Sequence, residues 1–215
     1  MKNFLIRLSF VCATAIATGL CHAEEKVASQ TFARLDTQVT IQMDYLLYVP
    51  PDYDTKPVWP VVLFLHGSGE RGNDLALVRK HGLPKLIEEG TAFPFIVVSP
   101  QCPEQQIWSK DVLLALLDEI SAKHAVDTRR IYLTGLSMGG YGTWDLGLTY
   151  PEKFAAIVPI CGGGQMISVL LSGRDKGAAL KTLGIWAFHG GKDPVVPLNE
   201  SQRMVDALKR WVCPT

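Results

Sequence analysis

The sequence predicts an α/β fold: a three-layer α/β/α sandwich around a mostly parallel sheet. Two observations carry that expectation. Continuous runs of Val, Ile, Leu and Phe recur along the chain, the pattern of strands buried on both faces. Amphipathic stretches separate these runs, and strand–helix alternation of this kind builds parallel sheets. Composition agrees, with 47% of the 215 residues hydrophobic and 20% charged, too apolar for a disordered chain. Lys plus Arg and Asp plus Glu both stand at 21, so no basic surplus draws the chain to nucleic acid or an anionic membrane. Beyond the N-terminus there is no apolar stretch of about 18 residues that reads as a membrane span.

Residues 1–23 lie outside the expected fold. Lys2 and Arg7 precede the uncharged run Leu8–Leu20, and Cys21-His22-Ala23 offers small residues before the acidic pair Glu24-Glu25. This is the layout of a secretory signal peptide, with cleavage expected after Ala23, no membrane attachment afterwards and a single domain over 24–215. Of the five cysteines, Cys102, Cys161 and Cys213 would remain. Their spacing is neither a disulfide framework nor a zinc motif, and free thiols are the expectation.

Along that domain, Thr37–Val49 reads as one or two antiparallel-type strands closed by Pro50-Pro51. Buried strands are expected at Val61–Leu65, Phe95–Ser99, Arg130–Thr134, Ala156–Ile160 and Ile185–His189. Val112, Leu113, Leu116, Leu117 and Ile120 fall on one side of a helix ending near His124. Gly139–Tyr150 and Ser201–Trp211 are further helices, the latter with Asn199 and Gln202 spaced as a capping box.

Ligands of such sheets bind at the carboxyl ends of strands, and three strand ends carry chemistry-bearing motifs. Gly135-Leu136-Ser137-Met138-Gly139 is a G-x-S-x-G pentapeptide between a strand and a helix, the context of a nucleophile elbow. Its glycines suit a turn too sharp for a Cβ, and its serine would stand at a helix N-terminus, where developing negative charge is favoured. Val61–Leu65 runs into His66-Gly67-Ser68-Gly69, a turn whose backbone N–H groups could face a developing oxyanion. His66 itself reads as a packing residue that shapes the loop. The run Phe188-His189-Gly190-Gly191-Lys192-Asp193 places an acid after the serine in chain order.

These segments resemble the α/β-hydrolase carboxylesterases: the phospholipase/carboxylesterase and polyhydroxybutyrate-depolymerase-like esterases, related to the dienelactone hydrolase and prolyl oligopeptidase branches. Leu65 through Gly72, Ser99 through Pro103, Gly135 through Trp144, Pro159 through Gly163 and Phe188 through Pro197 carry the resemblance over nearly the whole domain. It implies a serine hydrolase without metal or cofactor that cleaves carboxylic esters through an acyl-enzyme. Ser137 would be the nucleophile, Asp193 the acid, Ser68 (or Gly67) and Met138 the oxyanion donors, and Trp108 a lining residue of the acyl or alcohol pocket. The family's catalytic histidine follows the acid on a loop after one more strand, whereas no histidine follows His189 here. The expectation is therefore a domain whose last strand and helix are missing. Of His66, His81, His124 and His189, only His81 suits a substitute base. Short-acyl, aryl or polysaccharide-linked esters are the leading substrates. A peptidase, a polyester depolymerase, or a weakly active or inactive hydrolase-fold protein remain alternatives.

Overall fold

The computed structural model describes Thr40 and residues 42–211, with the side chain of Trp211 left out; the signal-peptide expectation, Thr37–Val39 and Cys213 fall outside these residues. Six strands form one sheet in the order β1-β3-β2-β4-β5-β6. They are β1 (Tyr45–Tyr48), β2 (Trp59–Leu65), β3 (Ile96–Pro100), β4 (Val126–Leu136), β5 (Ala156–Ile160) and β6 (Gly184–Ile185). Only β1 runs antiparallel, against β3; the remaining pairs are parallel. The Thr37–Val49 expectation thus contracts to one four-residue strand. The expected Ile185–His189 strand is a short ladder followed by an isolated bridge from Phe188 to Ile160.

Helices connect the strands: α1 (Gly82–Glu88), α2 (Lys110–Lys123), α3 (Met138–Thr149), α4 (Met166–Thr182) and α5 (Asn199–Trp211). Strand alternation assigns the layers. Val61, Leu63 and Leu65 share a core with Leu113, Leu117, Trp144, Val169 and Met204, so α2 to α5 cover one face. Phe64 points to the other face, where its ring meets the backbone of Gly82 at the start of α1. That approach is close enough to exclude a Cβ, and Gly82 has φ +63°, a conformation glycine adopts at little cost.

Helix α4 follows no clean amphipathic period. Gly173 and Gly177 interrupt it, and Lys176 departs from helical geometry (φ −133°, ψ 27°), which explains why its residues carry no sequence signal of their own. The capping box at α5 does not form. Helix α5 already includes Asn199, the first N–H groups reach the carbonyls of Pro197 and Leu198, and the Gln202 amide donates to Asp206 instead (2.8 Å).

The connection from β2 leads to β3 on one side, and that from β4 leads to β5 on the other. The carboxyl ends of β2 and β4 are therefore the topological switch point, where open α/β sheets open a crevice. Core packing around it is dense: Leu133 is fully buried, whereas Val195 is 81% exposed. Leu133→Ala is expected to cost about 2–5 kcal/mol and Val195→Ala no more than about 0.5 kcal/mol, read from urea denaturation midpoints.

Candidate active site

Strand β4 ends at Leu136 and α3 begins at Met138, leaving Ser137 alone to make the turn at φ 55°, ψ −118°. A serine there costs about 1–3 kcal/mol and persists only when its surroundings over-determine it. They do. The Ser137 N–H donates to the Ile160 carbonyl (2.9 Å) and lies 3.3 Å from Cys161 Sγ, while the Ser137 carbonyl accepts the Tyr141 N–H (3.1 Å). Backbone presses on backbone around the turn. A Cβ on Gly135 would lie 2.5 Å from the Gly139 carbonyl oxygen, and one on Gly139 would strike the carbonyls of Leu65 and His66.

Ser68 opens a 3-10 turn, Ser68–Glu70, directly after β2. Its N–H and that of Met138, the first residue of α3, make no hydrogen bond with another described residue. Two unengaged donors thus stand at the switch point on either side of Ser137, where an oxyanion could be received. Ser137 and Met138 line an open cleft of about 590 Å³ together with Trp108, Tyr141, Asp145 and Gln165. Trp108 is anchored from behind, its indole N–H donating to the His66 carbonyl (3.2 Å) and its ring set edge-on to His66 at 4.8 Å.

Asp193 sits on the turn after the β6 run. Its Oδ1 accepts the N–H groups of Val195 (2.9 Å) and Val196 (3.0 Å), and these bonds hold the carboxyl below the usual carboxylate range. Its Oδ2 lies 3.8 Å from His189 Nε2.

Known proteins share this arrangement of strands and helices. Residues 93–213, more than half of the chain, match the phospholipase/carboxylesterase family model. The chain belongs to the phospholipase/carboxylesterase family. It is similar to feruloyl esterase B of Neurospora crassa, 28% identical over 159 residues that cover 67% of this chain and 50% of that protein. Poly(3-hydroxyalkanoate) depolymerase C of Paucimonas lemoignei is 44% identical over 48 residues, covering 22% of this chain and 12% of that one. A solved thermostable esterase is 36% identical with a TM-score of 0.64, covering 81% of this chain and 50% of its own. A ferulic acid esterase structure at 19% identity and TM-score 0.61 shares the fold. The chain spans about half the length of relatives such as the Neurospora enzyme and the thermostable esterase.

A serine of this kind needs a base, and no described histidine hydrogen-bonds to Ser137. His66 is committed elsewhere: Nε2 accepts the Cys102 N–H (3.0 Å), so Nδ1 carries the hydrogen and donates to the Gly67 carbonyl (2.6 Å). Burial lowers its pKa and favours this neutral form. His124 caps the C-terminus of α2, just ahead of β4 and at the opposite end of that strand from Ser137. His189 is bonded at both nitrogens. His81 is exposed, with Nε2 3.6 Å from Glu70 Oε1. Glu70 is buried, and its Oε2 has no hydrogen-bond partner among the described residues. A Cβ on Gly67 would lie 3.2 Å from that oxygen, 3.3 Å from Leu136 Cδ1 and 3.6 Å from Ser137 Cβ, so the Glu70 carboxylate and Ser137 both lie close to the Gly67 backbone.

Cys161 and Tyr141, which fall inside the Pro159–Gly163 and Gly135–Trp144 segments but have no role assigned there, and Ser201, which falls in none of them, belong to the surroundings of the site. Cys161, with φ 41°, immediately follows β5, where the strand-end rule also points. Burial raises its thiol pKa and raises that of Cys102 to about 11; both are free thiols. Among the described residues no cluster of side chains fits a metal ion.

Gly139→Ala is expected to destabilise the domain by about 3 kcal/mol, since its methyl displaces backbone rather than a flexible side chain; denaturation with urea measures it. The Asp193 pKa is lower in the folded state than in the unfolded chain, so the carboxylate stabilises the fold above the unfolded value. That contribution disappears as pH falls through the folded value. Asp193→Ala is accordingly expected to flatten the acid limb of a stability-against-pH curve.

Proposed function

We propose that the protein is a serine hydrolase that cleaves carboxylic esters through an acyl-enzyme at Ser137. The observation that carries this reading is the strained serine at the N-terminus of α3, set between the unengaged N–H groups of Ser68 and Met138 and open to the cleft. Attack by the Ser137 oxygen on an ester carbonyl forms a tetrahedral oxyanion, which those two donors and the positive end of α3 favour. Ser137 gives up its hydroxyl proton as its oxygen bonds the carbonyl carbon. The leaving alkoxide takes up a proton as the ester C–O bond breaks, so the alcohol departs and the acyl group stays on Ser137. Water then adds to the acyl carbon, the acid leaves and the proton returns to Ser137. Asp193 is the acid, whose role in such a site is to orient a histidine base and stabilise the imidazolium it becomes. The mixed lining of the cleft, with Trp108 and Tyr141 beside Asp145 and Gln165, supports aryl or polysaccharide-linked esters alongside short-acyl ones. The N-terminal pattern of residues 1–23 supports export to the periplasm or the exterior.

A second reading, a ligand-binding protein with feeble turnover, is favoured by one observation: none of His66, His81, His124 and His189 bonds to Ser137. An unassisted serine hydroxyl is a weak nucleophile. An oxyanion hole and binding alone still give about 10³–10⁴-fold catalysis over water.

The test combines labelling and turnover. A fluorophosphonate is expected to label the wild type and not Ser137→Ala; equal labelling of both overturns the nucleophile. Hydrolysis of nitrophenyl acetate, methyl ferulate, acetylated xylan and chromogenic peptides then separates esterase from peptidase. Asp193→Asn is expected to lower kcat with the circular dichroism spectrum unchanged. An unchanged kcat moves the acid elsewhere.

A further inference from the structure

Asp193 and Ser137 stand on separate turns, and His189 begins a chain of contacts that runs from the first toward the second. The His189 side chain is 2% exposed. Its Nε2 lies 2.8 Å from the Val196 carbonyl and its Nδ1 2.7 Å from Ser201 Oγ. Ser201, on the first turn of α5, in turn donates its hydroxyl hydrogen to the Gly162 carbonyl (2.7 Å).

The hydrogens in this chain can be counted. Carbonyl oxygens only accept, so Val196 requires a hydrogen on Nε2 and Gly162 takes the only hydrogen of Ser201. The remaining contact, between Nδ1 and Ser201 Oγ, then requires a hydrogen on Nδ1. All three bonds form together only when both imidazole nitrogens are protonated. The groups around the ring suit a cation. Asp193 Oδ2 lies 3.8 Å away. Glu200, beside Ser201 on α5, is paired with Arg203 (2.5 Å) and accepts the Tyr141 hydroxyl (3.3 Å). Cys161, next to Gly162, is held as a neutral thiol by burial, and Lys192 on the acid turn is exposed.

Gly162 passes this connection to the nucleophile without a side chain between. A Cβ on Gly140 would lie 2.5 Å from the Ile160 carbonyl oxygen and 3.0 Å from Gly162 Cα, so the Gly162 backbone rests on the first turn of α3. That turn carries the Met138 N–H. We propose that His189, as an imidazolium, is a positioning residue that holds the acid turn and the first turn of α3 in register through Ser201 and Gly162. When the ring is neutral, the Ser201 hydroxyl has one hydrogen for two acceptors, and either Nδ1 or the Gly162 carbonyl loses its partner. This inference rests on the reading of Ser137 as nucleophile and Asp193 as acid.

The experiment reads His189 directly. In the full chain labelled with ¹⁵N-histidine, long-range ¹H–¹⁵N spectra are expected to show hydrogens on both ring nitrogens of His189, assigned by its loss in His189→Asn. In Ser201→Ala only one is expected, and Ser201→Thr, which keeps the hydroxyl, is expected to restore both. Fluorophosphonate labelling of Ser137 is expected to slow about tenfold in Ser201→Ala, the scale of one lost hydrogen bond, and to recover in Ser201→Thr. A neutral His189 with one ring hydrogen across about pH 5–8, the usual range of histidine switching, overturns the proposal. So does labelling in Ser201→Ala at the wild-type rate. If Ser137→Ala is labelled like the wild type, the nucleophile reading fails instead, and the spectra alone decide the charge of His189. Should Ser201→Ala fail to fold, the wild-type spectrum still decides: hydrogens on both ring nitrogens support the proposal, and a hydrogen on one alone overturns it.

Discussion

The backbone of Gly139 lies against the carbonyls of Leu65 and His66, and the rest of the site depends on that contact. It brings the first turn of α3 down onto the end of β2, leaving Ser137 to turn between β4 and α3 at positive φ. The same approach sets the Met138 N–H opposite the Ser68 turn. On the other side, Gly140 and Gly162 meet backbone to backbone and seat the end of β5 against the same helix. Interiors are packed too tightly to absorb an added methyl at such points. The strain at Ser137 is therefore sustained by three strand ends rather than by the pentapeptide alone.

Buried polar groups behind this contact are assigned one role each. His66 closes the β2 turn as a neutral ring, because burial penalises its charge and the Cys102 N–H occupies Nε2. Trp108 is held by the His66 carbonyl, so the wall of the cleft and the turn after β2 share one support. His189 has different surroundings, the Ser201 hydroxyl, the Val196 carbonyl and a nearby carboxylate. Two histidines in His-Gly turns at strand ends thus hold different partners, a backbone N–H and a carbonyl at His66, a hydroxyl and a carbonyl at His189. The difference comes from what faces each ring, not from the local sequence.

Much of the architecture was legible from period and composition. Strands β2 to β5 were readable because their continuous apolar runs admit few alternatives once both faces are buried. Helix α2 declared itself by its apolar stripe, and α3 by following a G-x-S-x-G turn. Helix α4 was legible only through the strand–helix alternation that calls for a helix between β5 and β6, since Gly173, Gly177 and the break at Lys176 spoil its own period. The Asn199–Gln202 cap failed for a related reason. The carbonyls of Pro197 and Leu198 were already placed to receive the first N–H groups of α5.

By itself the sequence determined the fold class, the position of Ser137 between strand and helix, and the strand ends on which Ser68, Met138 and Asp193 fall. These depend on local spacing and on burial patterns that the chain carries in one dimension. Only the tertiary structure decided which groups face one another. It commits His66 and His189 at both ring nitrogens, and it brings the buried Glu70 and Ser137 both close to the Gly67 backbone. It also brings Ser201 from α5 under Gly162, 39 positions away. Pairings of that kind arise from sheet order and helix packing, where residues far apart in sequence meet because burial of apolar surface, not chain connectivity, fixes their distance.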